Sequence, residues 1–451
     1  MSERAPWVYD ENAALLTDLY QLTMLQAYWR EGMEGEAVFS IFVRRLPEPR
    51  NYLLACGLDD VLRYLATVRF DVEALATLAT LDGFTPEFLK WLRDFQFTGD
   101  VFAVPEGTPL FQEEPILEVV APIAQAQFVE TFIMNQIHFQ TLAASKAARV
   151  VEAAKGRSVV DFGLRRMHGA DAGLKSARAF YVAGVDATSN VLAGHVYGIP
   201  VAGTMAHSYV QAHDREMDAF RAFAELYGET ILLVDTYDTI EGVKKVVELA
   251  KEMGPAFRVR GIRLDSGDLA QLAFESRRIL DEASLQNVEI FASGGLDEYE
   301  VAKIVSAGAP VTGFGVGTSM GVSRDAPALD IAYKLTAYAG KGRLKLSPGK
   351  RIHPGRKQIF RVEDKGRAAH DILAREGEEH PGRPLLVKVM EGGKRLAAGR
   401  VSLAEARARA KDEIGRLPGR LRALDPADPP YEVRLSEELR RYEERVVEAV
   451  S

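Results

Sequence analysis

The chain contains one cysteine, Cys56. An internal disulfide is therefore impossible, and so is a zinc knuckle made of clustered cysteines. Blocks of one charge sign are also missing. The 56 basic and 64 acidic residues give a formal net charge of −8, and they are spread along the chain. The one arginine-rich stretch, "LAEARARAKDEIGRLPGRLRAL", has acids interspersed and reads as a solvated amphipathic helix, which argues against a nucleic-acid surface. The N-terminal "MSERAPWVYDEN" lacks the apolar segment of a signal peptide. No uninterrupted apolar run is long enough to cross a bilayer. These absences predict a cytoplasmic protein that has neither nucleic acid nor membrane as a partner. Ser208 beside His207 is not a catalytic-triad arrangement either.

What remains is an ordinary globular composition, 47% hydrophobic and 27% charged over 451 residues. That length favours two domains, or one large domain with an appendage. From about residue 155 to 320 short apolar runs each end in a small polar cluster: "SVVDFGLRR", "IPVAGTMAHS", "ILLVDTYD", "VRGIRLDSGD", "EIFASGGLDE" and "VTGFGVGTS". Between them lie segments with apolar residues at i, i+3, i+4 spacing, such as "TIEGVKKVVELAKEM". Continuous apolar strands alternating with helices define a parallel sheet covered by helices. The reading is α/β: an irregular β/α barrel with too few clean strands for a regular eight. The flanks carry short strands and turns, including "EAVFSIFVRR", "KQIFRVED" and the hairpin "PLLVKVMEGGKRLA". They predict a discontinuous β-rich α+β domain built from both ends of the chain. The expected boundaries are 1–130 for the N-terminal flank, 131–330 for the barrel and 331–451 for the C-terminal flank with its helical tail. Residues 12–30 read as one amphipathic helix, and "GRLKLSPGK" as a strand.

In a β/α barrel the clusters that follow the strands share one end, and that end holds the active site. Arg165, His207, Asp235, Asp265, Gly294 and Gly317 thus face one another without being neighbours in sequence. The glycines of "ASGGLDE" and "GFGVGTS" let backbone N–H groups approach an anion, and the last two strand loops of such barrels are a recurrent phosphate site. In "RLDSGDL", Asp268 suits the N-cap of the following helix. Asp265 is free to accept from sugar hydroxyls or to help hold hydrated Mg²⁺. The aspartates of "DTYD" allow both readings. Of the adjacent Arg165 and Arg166, one can grip a carboxylate or phosphate while the other is a structural ion-pair partner. Phe162 is either core or a platform for a flat ring. His207 lacks a partner at metal-ligand spacing, because His213 lies six residues on. General base and phosphate acceptor both remain open for it. No lysine stands in any cluster, which removes a Schiff-base aldolase.

In this order, "DFGLRR", "TSNVLAGHVYGIPVAGTMAHS", "LDSGDL", "ASGGLDE" and "GFGVGTS" closely resemble nicotinate phosphoribosyltransferases. "LLTDLYQLTM", "PEGTPLFQEEP" and "PGRKQIFR" extend the resemblance to nearly the whole chain. It implies formation of nicotinate mononucleotide and pyrophosphate from nicotinate and 5-phosphoribosyl 1-pyrophosphate, coupled to ATP hydrolysis, as a step of NAD salvage. His207 resembles the family's transiently phosphorylated histidine. Tyr20 resembles the aromatic that stacks on the pyridine ring from a neighbouring subunit, with Phe162 on the other face. Arg165 resembles the arginine near the ring substituent and the donor, and Arg263 and Asp265 resemble residues contacting the base and the ribose hydroxyls. The resemblance gives Gly294, Gly295, Gly315 and Gly317 to the 5′-phosphate, and Thr318 and Asp235 to substrate binding. Ser189 stands where the related nicotinamide enzymes carry an aspartate, which favours the acid over the amide, although Asp186 lies three residues earlier. Mg²⁺ held through substrate phosphates and waters, ATP as co-substrate and a homodimer with shared sites are further implications. The alternatives are a nicotinamide enzyme or one acting on another pyridine base. A sugar-phosphate-binding protein without catalysis is less compatible with the polar rim.

Overall fold

The computed structural model describes residues 8–347 and 352–450. It divides into two compact units, one formed by Met1–Leu142 together with Ala328–Ser451, the other by Ala143–Pro327.

The second unit is organised by a parallel sheet of six strands: Ser158–Asp161, Ala187–Thr188, Ile231–Leu233, Gly261–Leu264, Glu289–Ser293 and Gly313–Val316. Starting from Ala187–Thr188, the order across the sheet is Ser158–Asp161, Gly313–Val316, Glu289–Ser293, Gly261–Leu264 and Ile231–Leu233. Every pairing is parallel. Leu232, Ile262, Ile290, Phe314 and Val316 are fully buried, so the strands show unbroken apolar runs where a one-sided sheet would alternate. Helices Thr239–Met253, Leu269–Glu282 and Glu298–Ser306 connect successive strands and bury Val243 and Val246, Ala273 and Leu280, and Val301 and Ile304. The sheet is a curled half-barrel, not a closed one: its two outer strands, Ala187–Thr188 and Ile231–Leu233, do not pair.

One expected strand is missing. "IPVAG" forms no strand and meets the sheet only through an isolated bridge between Val201 and Thr188. Pro200 has no N–H to give a ladder and serves only as acceptor, from the Thr188 N–H at 3.0 Å. The strand in its place, Ala187–Thr188, is two residues long and has no apolar run to announce it.

The first unit joins both flanks in a seven-stranded sheet. Glu36–Val43 lies between Pro115–Pro122 and Ile331–Tyr338, antiparallel to both. Seven of its eight residues are buried, which requires any polar side chain there to be satisfied. Ser40 donates to Glu118 Oε1 at 2.6 Å, and Lys357 Nζ lies 3.0 Å from the same carboxylate oxygen. The Gly-Gly hairpin forms as read, with Gly392 and Gly393 both at positive φ between Val387–Glu391 and Lys394–Arg395. The arginine-rich segment is not one helix but two, Leu403–Arg416 and Gly419–Arg422, parted at Leu417–Pro418, and the first is closed at its start by a capping box between Ser402 and Glu405. Two further expectations change. Residues 12–30 are not one helix: a 3₁₀ turn, Ala13–Leu15, precedes the helix Leu19–Arg30, and extended Asp18 separates them while accepting from Thr131 Oγ1 at 2.8 Å. Of "GRLKLSPGK", only Gly342 joins a strand, Lys341–Gly342, and residues 348–350 lie outside the described residues.

Candidate active site

The ends of the parallel strands gather most of the predicted residues, and each end is built differently. After Ser158–Asp161 the chain turns through Phe162 and Gly163 into a 3₁₀ turn, Leu164–Arg166. The buried Asp161 holds this turn, accepting from the Gly163 N–H and from Thr188 Oγ1, each at 2.8 Å. Burial pushes its carboxyl above the ordinary range, and these two donors pull in the opposite direction. Phe162 is half-buried, with Phe291 tilted against it at 6.0 Å between ring centres. Arg165 and Arg166 are exposed, and Arg166 donates to Thr318 Oγ1 at 3.2 Å. Ser189 follows Thr188, and its loop is fixed on both sides. The Ser189 N–H donates to Asp161 O at 2.8 Å, and the Asn190 N–H donates to Thr188 Oγ1 at 3.1 Å.

His207 opens a one-turn helix, His207–Gln211, and is half-exposed. Its Nδ1 lies 3.1 Å from Thr236 Oγ1, and its Nε2 lies 3.8 Å from Asp265 Oδ2. Asp265 is held in turn by the Ser293 hydroxyl, which donates to its Oδ1. The two aspartates of "DTYD" are now separated in role. Asp238 caps the helix Thr239–Met253 by accepting from the Glu241 N–H. Asp235 accepts from the Asp265 N–H at 2.9 Å and from Ser266 Oγ at 2.6 Å. Asp268 is the N-cap of Leu269–Glu282, as its position suggested.

Arg263 donates to Thr204 Oγ1 at 2.6 Å, and its guanidinium carbon lies 5.9 Å from the centre of the Phe162 ring. Burial lowers its pKa and the nearby Arg165 charge adds to that, while Asp265 and Asp235 oppose it. Arg263 Nε and Asp235 Oδ1 are both buried without a hydrogen-bond partner. Each such orphan costs about 1–3 kcal/mol. Two of them at neighbouring strand ends are what a site keeps for polar groups of a ligand.

The glycines divide into two kinds. Gly294 and Gly295 are exposed and left-handed, at φ +90° and +65°. A Cβ on Gly294 would stand 1.7 Å from the Asp265 carbonyl oxygen. Gly317 is half-buried and leads directly into the short helix Thr318–Gly321. Gly315 differs from the phosphate-loop glycine it resembled. It is buried inside its strand, and a Cβ there would lie 2.5 Å from the Phe162 ring. Its missing side chain makes room for that ring. Tyr20 lies in the other unit, 49% exposed, with its phenol pushed up to about 12 by burial and by the Glu130 and Asp18 carboxylates. Four polar partners went unread in the sequence: Thr188, Thr204, Thr236 and Ser293. Each lies inside a quoted segment, and its bond to a residue distant in sequence shows only in the fold.

Two family models match this chain. Residues 15–138 match the nicotinate phosphoribosyltransferase N-terminal domain, and residues 143–334 match the C-terminal domain of quinolinate phosphoribosyl transferase. The half-barrel and its rim therefore define an enzyme of the phosphoribosyltransferase class. A nicotinate phosphoribosyltransferase of Mycobacterium tuberculosis is 55% identical over 426 residues, covering 94% of this chain and 92% of the relative. One from Bacillus subtilis is 41% identical over 361 residues, 78% of this chain and 74% of the relative. The crystal structure of human nicotinic acid phosphoribosyltransferase superposes with a TM-score of 0.84 at 30% identity, over 95% of this chain and 99% of that one. The chain belongs to the nicotinate phosphoribosyltransferase family. Among the described residues no helix is long and apolar enough to cross a membrane.

Proposed function

We propose that this chain joins nicotinate to 5-phosphoribosyl 1-pyrophosphate, giving nicotinate mononucleotide and pyrophosphate, and that a phosphohistidine at His207 couples the transfer to ATP hydrolysis. The observation that carries the ATP-coupled part is the setting of His207. In the tautomer whose Nδ1–H donates to Thr236 Oγ1, the lone pair of Nε2 is left to attack the γ-phosphorus of ATP. The phosphorus–oxygen bond to ADP breaks, and water later releases phosphate from the imidazole. In the transfer itself the pyridine nitrogen attacks the anomeric carbon as the bond to pyrophosphate breaks. Catalysis is then mostly positioning and charge. Phe162 supports one face of the pyridine ring, Arg263 and Arg165 supply positive charge, and the turn at Gly294–Gly295 with Gly317 and Thr318 offers backbone N–H groups to the 5′-phosphate.

Mg²⁺ fits this donor set in a limited way. Asp235 has an unpartnered buried oxygen, and Asp265 stands on the next strand end. No group of three or more histidine, cysteine, aspartate or glutamate ligands exists among the described residues. Asp235 and Asp265 would hold the ion, with water and substrate phosphates completing its shell. There it would shield the phosphates from the Asp265 carboxylate and favour departure of pyrophosphate.

Ser189 is the proposed determinant of acid over amide. Ser189→Asp sets a carboxylate against the carboxylate of nicotinate. The preference for nicotinate over nicotinamide, as kcat/KM, is expected to fall by roughly 10- to 100-fold. Unchanged relative rates on the two bases would remove Ser189 from this role. A second subunit supplying Tyr20 is supported by the exposure of Leu16, Leu19 and Tyr20 on one short segment. Sedimentation at assay concentration is expected to find at least a dimer, and an active monomer would contradict the shared site.

A further inference from the structure

An ionic cluster joins the segments that follow the two glycine-bearing turns, with Lys146, Arg149 and Glu298 buried and Asp325 exposed. Lys146, on the helix Glu130–Ala154, is almost wholly buried. Its Nζ contacts Glu298 Oε2 and lies 2.6 Å from Asp325 Oδ1. Arg149, one helical turn on, contributes Nε at 2.9 Å to Glu298 Oε1 and reaches Tyr299 Oη at 3.0 Å. Glu298 is the first residue of the helix Glu298–Ser306, and only Leu296 and Asp297 separate it from Gly295. Leu296 is buried, and Asp297 caps the helix by accepting from the Tyr299 and Glu300 N–H groups, both at 2.9 Å. The chain between Gly295 and Glu298 therefore has no slack. Asp325 closes the segment that begins at Gly317 and Thr318, in which Ser319 and Met320 are buried.

A buried ion cluster is weak evidence for stability, since desolvation offsets most of the attraction. Its better-attested use is to specify one arrangement among several, and this one ties together segments that follow two adjacent strands.

We infer that Lys146 is a positioning residue that sets the Gly294–Gly295 turn and the Gly317–Thr318 turn in register, so that both meet the phosphate of the phosphoribosyl donor. This rests on the reading of those turns as a phosphate site. The residue does not touch substrate. Its loss acts on the donor and spares nicotinate, whose proposed contacts, Phe162 and Ser189, lie on other strand ends.

The test is equilibrium binding by calorimetry, with phosphoribosyl pyrophosphate plus Mg²⁺ and with nicotinate titrated separately, alongside thermal unfolding. Lys146→Met leaves two carboxylates facing each other, so the double variant Lys146→Met/Glu298→Gln is measured as well, because it removes one charge of each sign. In the double variant the donor is expected to bind at least tenfold more weakly, with nicotinate affinity within twofold and the unfolding midpoint close to that of the parent. Equal donor binding in parent and double variant would overturn the inference while leaving the phosphate site intact. Parallel loss of both ligands would overturn it too, by showing a general loosening of the fold. Failure of the parent itself to bind the donor would overturn the underlying reading and this inference with it.

Discussion

His207→Ala is expected to leave a folded protein that no longer takes up label from γ-labelled ATP and in which ATP no longer raises mononucleotide formation. The imidazole is half-exposed, with Thr236 at its Nδ1 and Asp265 3.8 Å from its Nε2, so its removal leaves no cavity in the core and the unfolding midpoint stays near that of the parent. ATP hydrolysis dependent on the other substrates falls by about 100-fold or more, because no other group is proposed to accept the phosphoryl. Transfer without ATP persists at the parent's ATP-free rate, since the rim that binds base and donor is intact. Undiminished labelling in this variant would remove His207 from the mechanism.

Gly294→Ala is expected to cost as much as a first-rank polar residue, although glycine has no side chain to contribute. At φ +90° an alanine is strained, and its Cβ would meet the Asp265 carbonyl oxygen at 1.7 Å. The obstacle is backbone, which cannot swing aside as a flexible side chain can. Either the turn or the end of the Gly261–Leu264 strand must move, and with it Asp265, which faces His207 and is bonded to Ser293. We expect kcat/KM for the donor to fall by about 100-fold or more, while Gly295→Ala, with open space around its Cβ, loses roughly tenfold or less. Steady-state kinetics on the two variants checks this. Equal effects would mean that the turn's anion-binding N–H groups matter and its packing against Asp265 does not.

The contrast between these glycines marks where the sequence stops being readable. Apolar runs ending in polar clusters are local features, so the strand ends carrying Phe162, Asp235, Arg263 and Gly294 could be read directly. Two neighbouring glycine clusters look alike in one dimension. Only the parallel register, with Phe291 opposite Gly313 and Ser293 opposite Gly315, shows that Gly315 yields space to an aromatic ring while Gly294 yields it to a carbonyl. The same holds for Thr204, Thr236 and Ser293, ordinary hydroxyls whose partners Arg263, His207 and Asp265 lie far away in sequence. The Ala187–Thr188 strand was hidden by its brevity, and "IPVAG" misled because an apolar run was credited with a ladder that Pro200 cannot donate to. Lys146 was invisible for another reason: within a long helical pattern a single lysine reads as a solvated position, and its burial follows from tertiary packing alone.

The central claim is that this rim performs base-specific phosphoribosyl transfer coupled to ATP. Its most direct test is mononucleotide formation by the unmodified protein with phosphoribosyl pyrophosphate and Mg²⁺, comparing nicotinate with nicotinamide, each with and without ATP. The account predicts product from nicotinate that rises strongly with ATP, and little from nicotinamide under either condition. Product from nicotinamide at equal or higher rate, or a nicotinate rate indifferent to ATP, would contradict it.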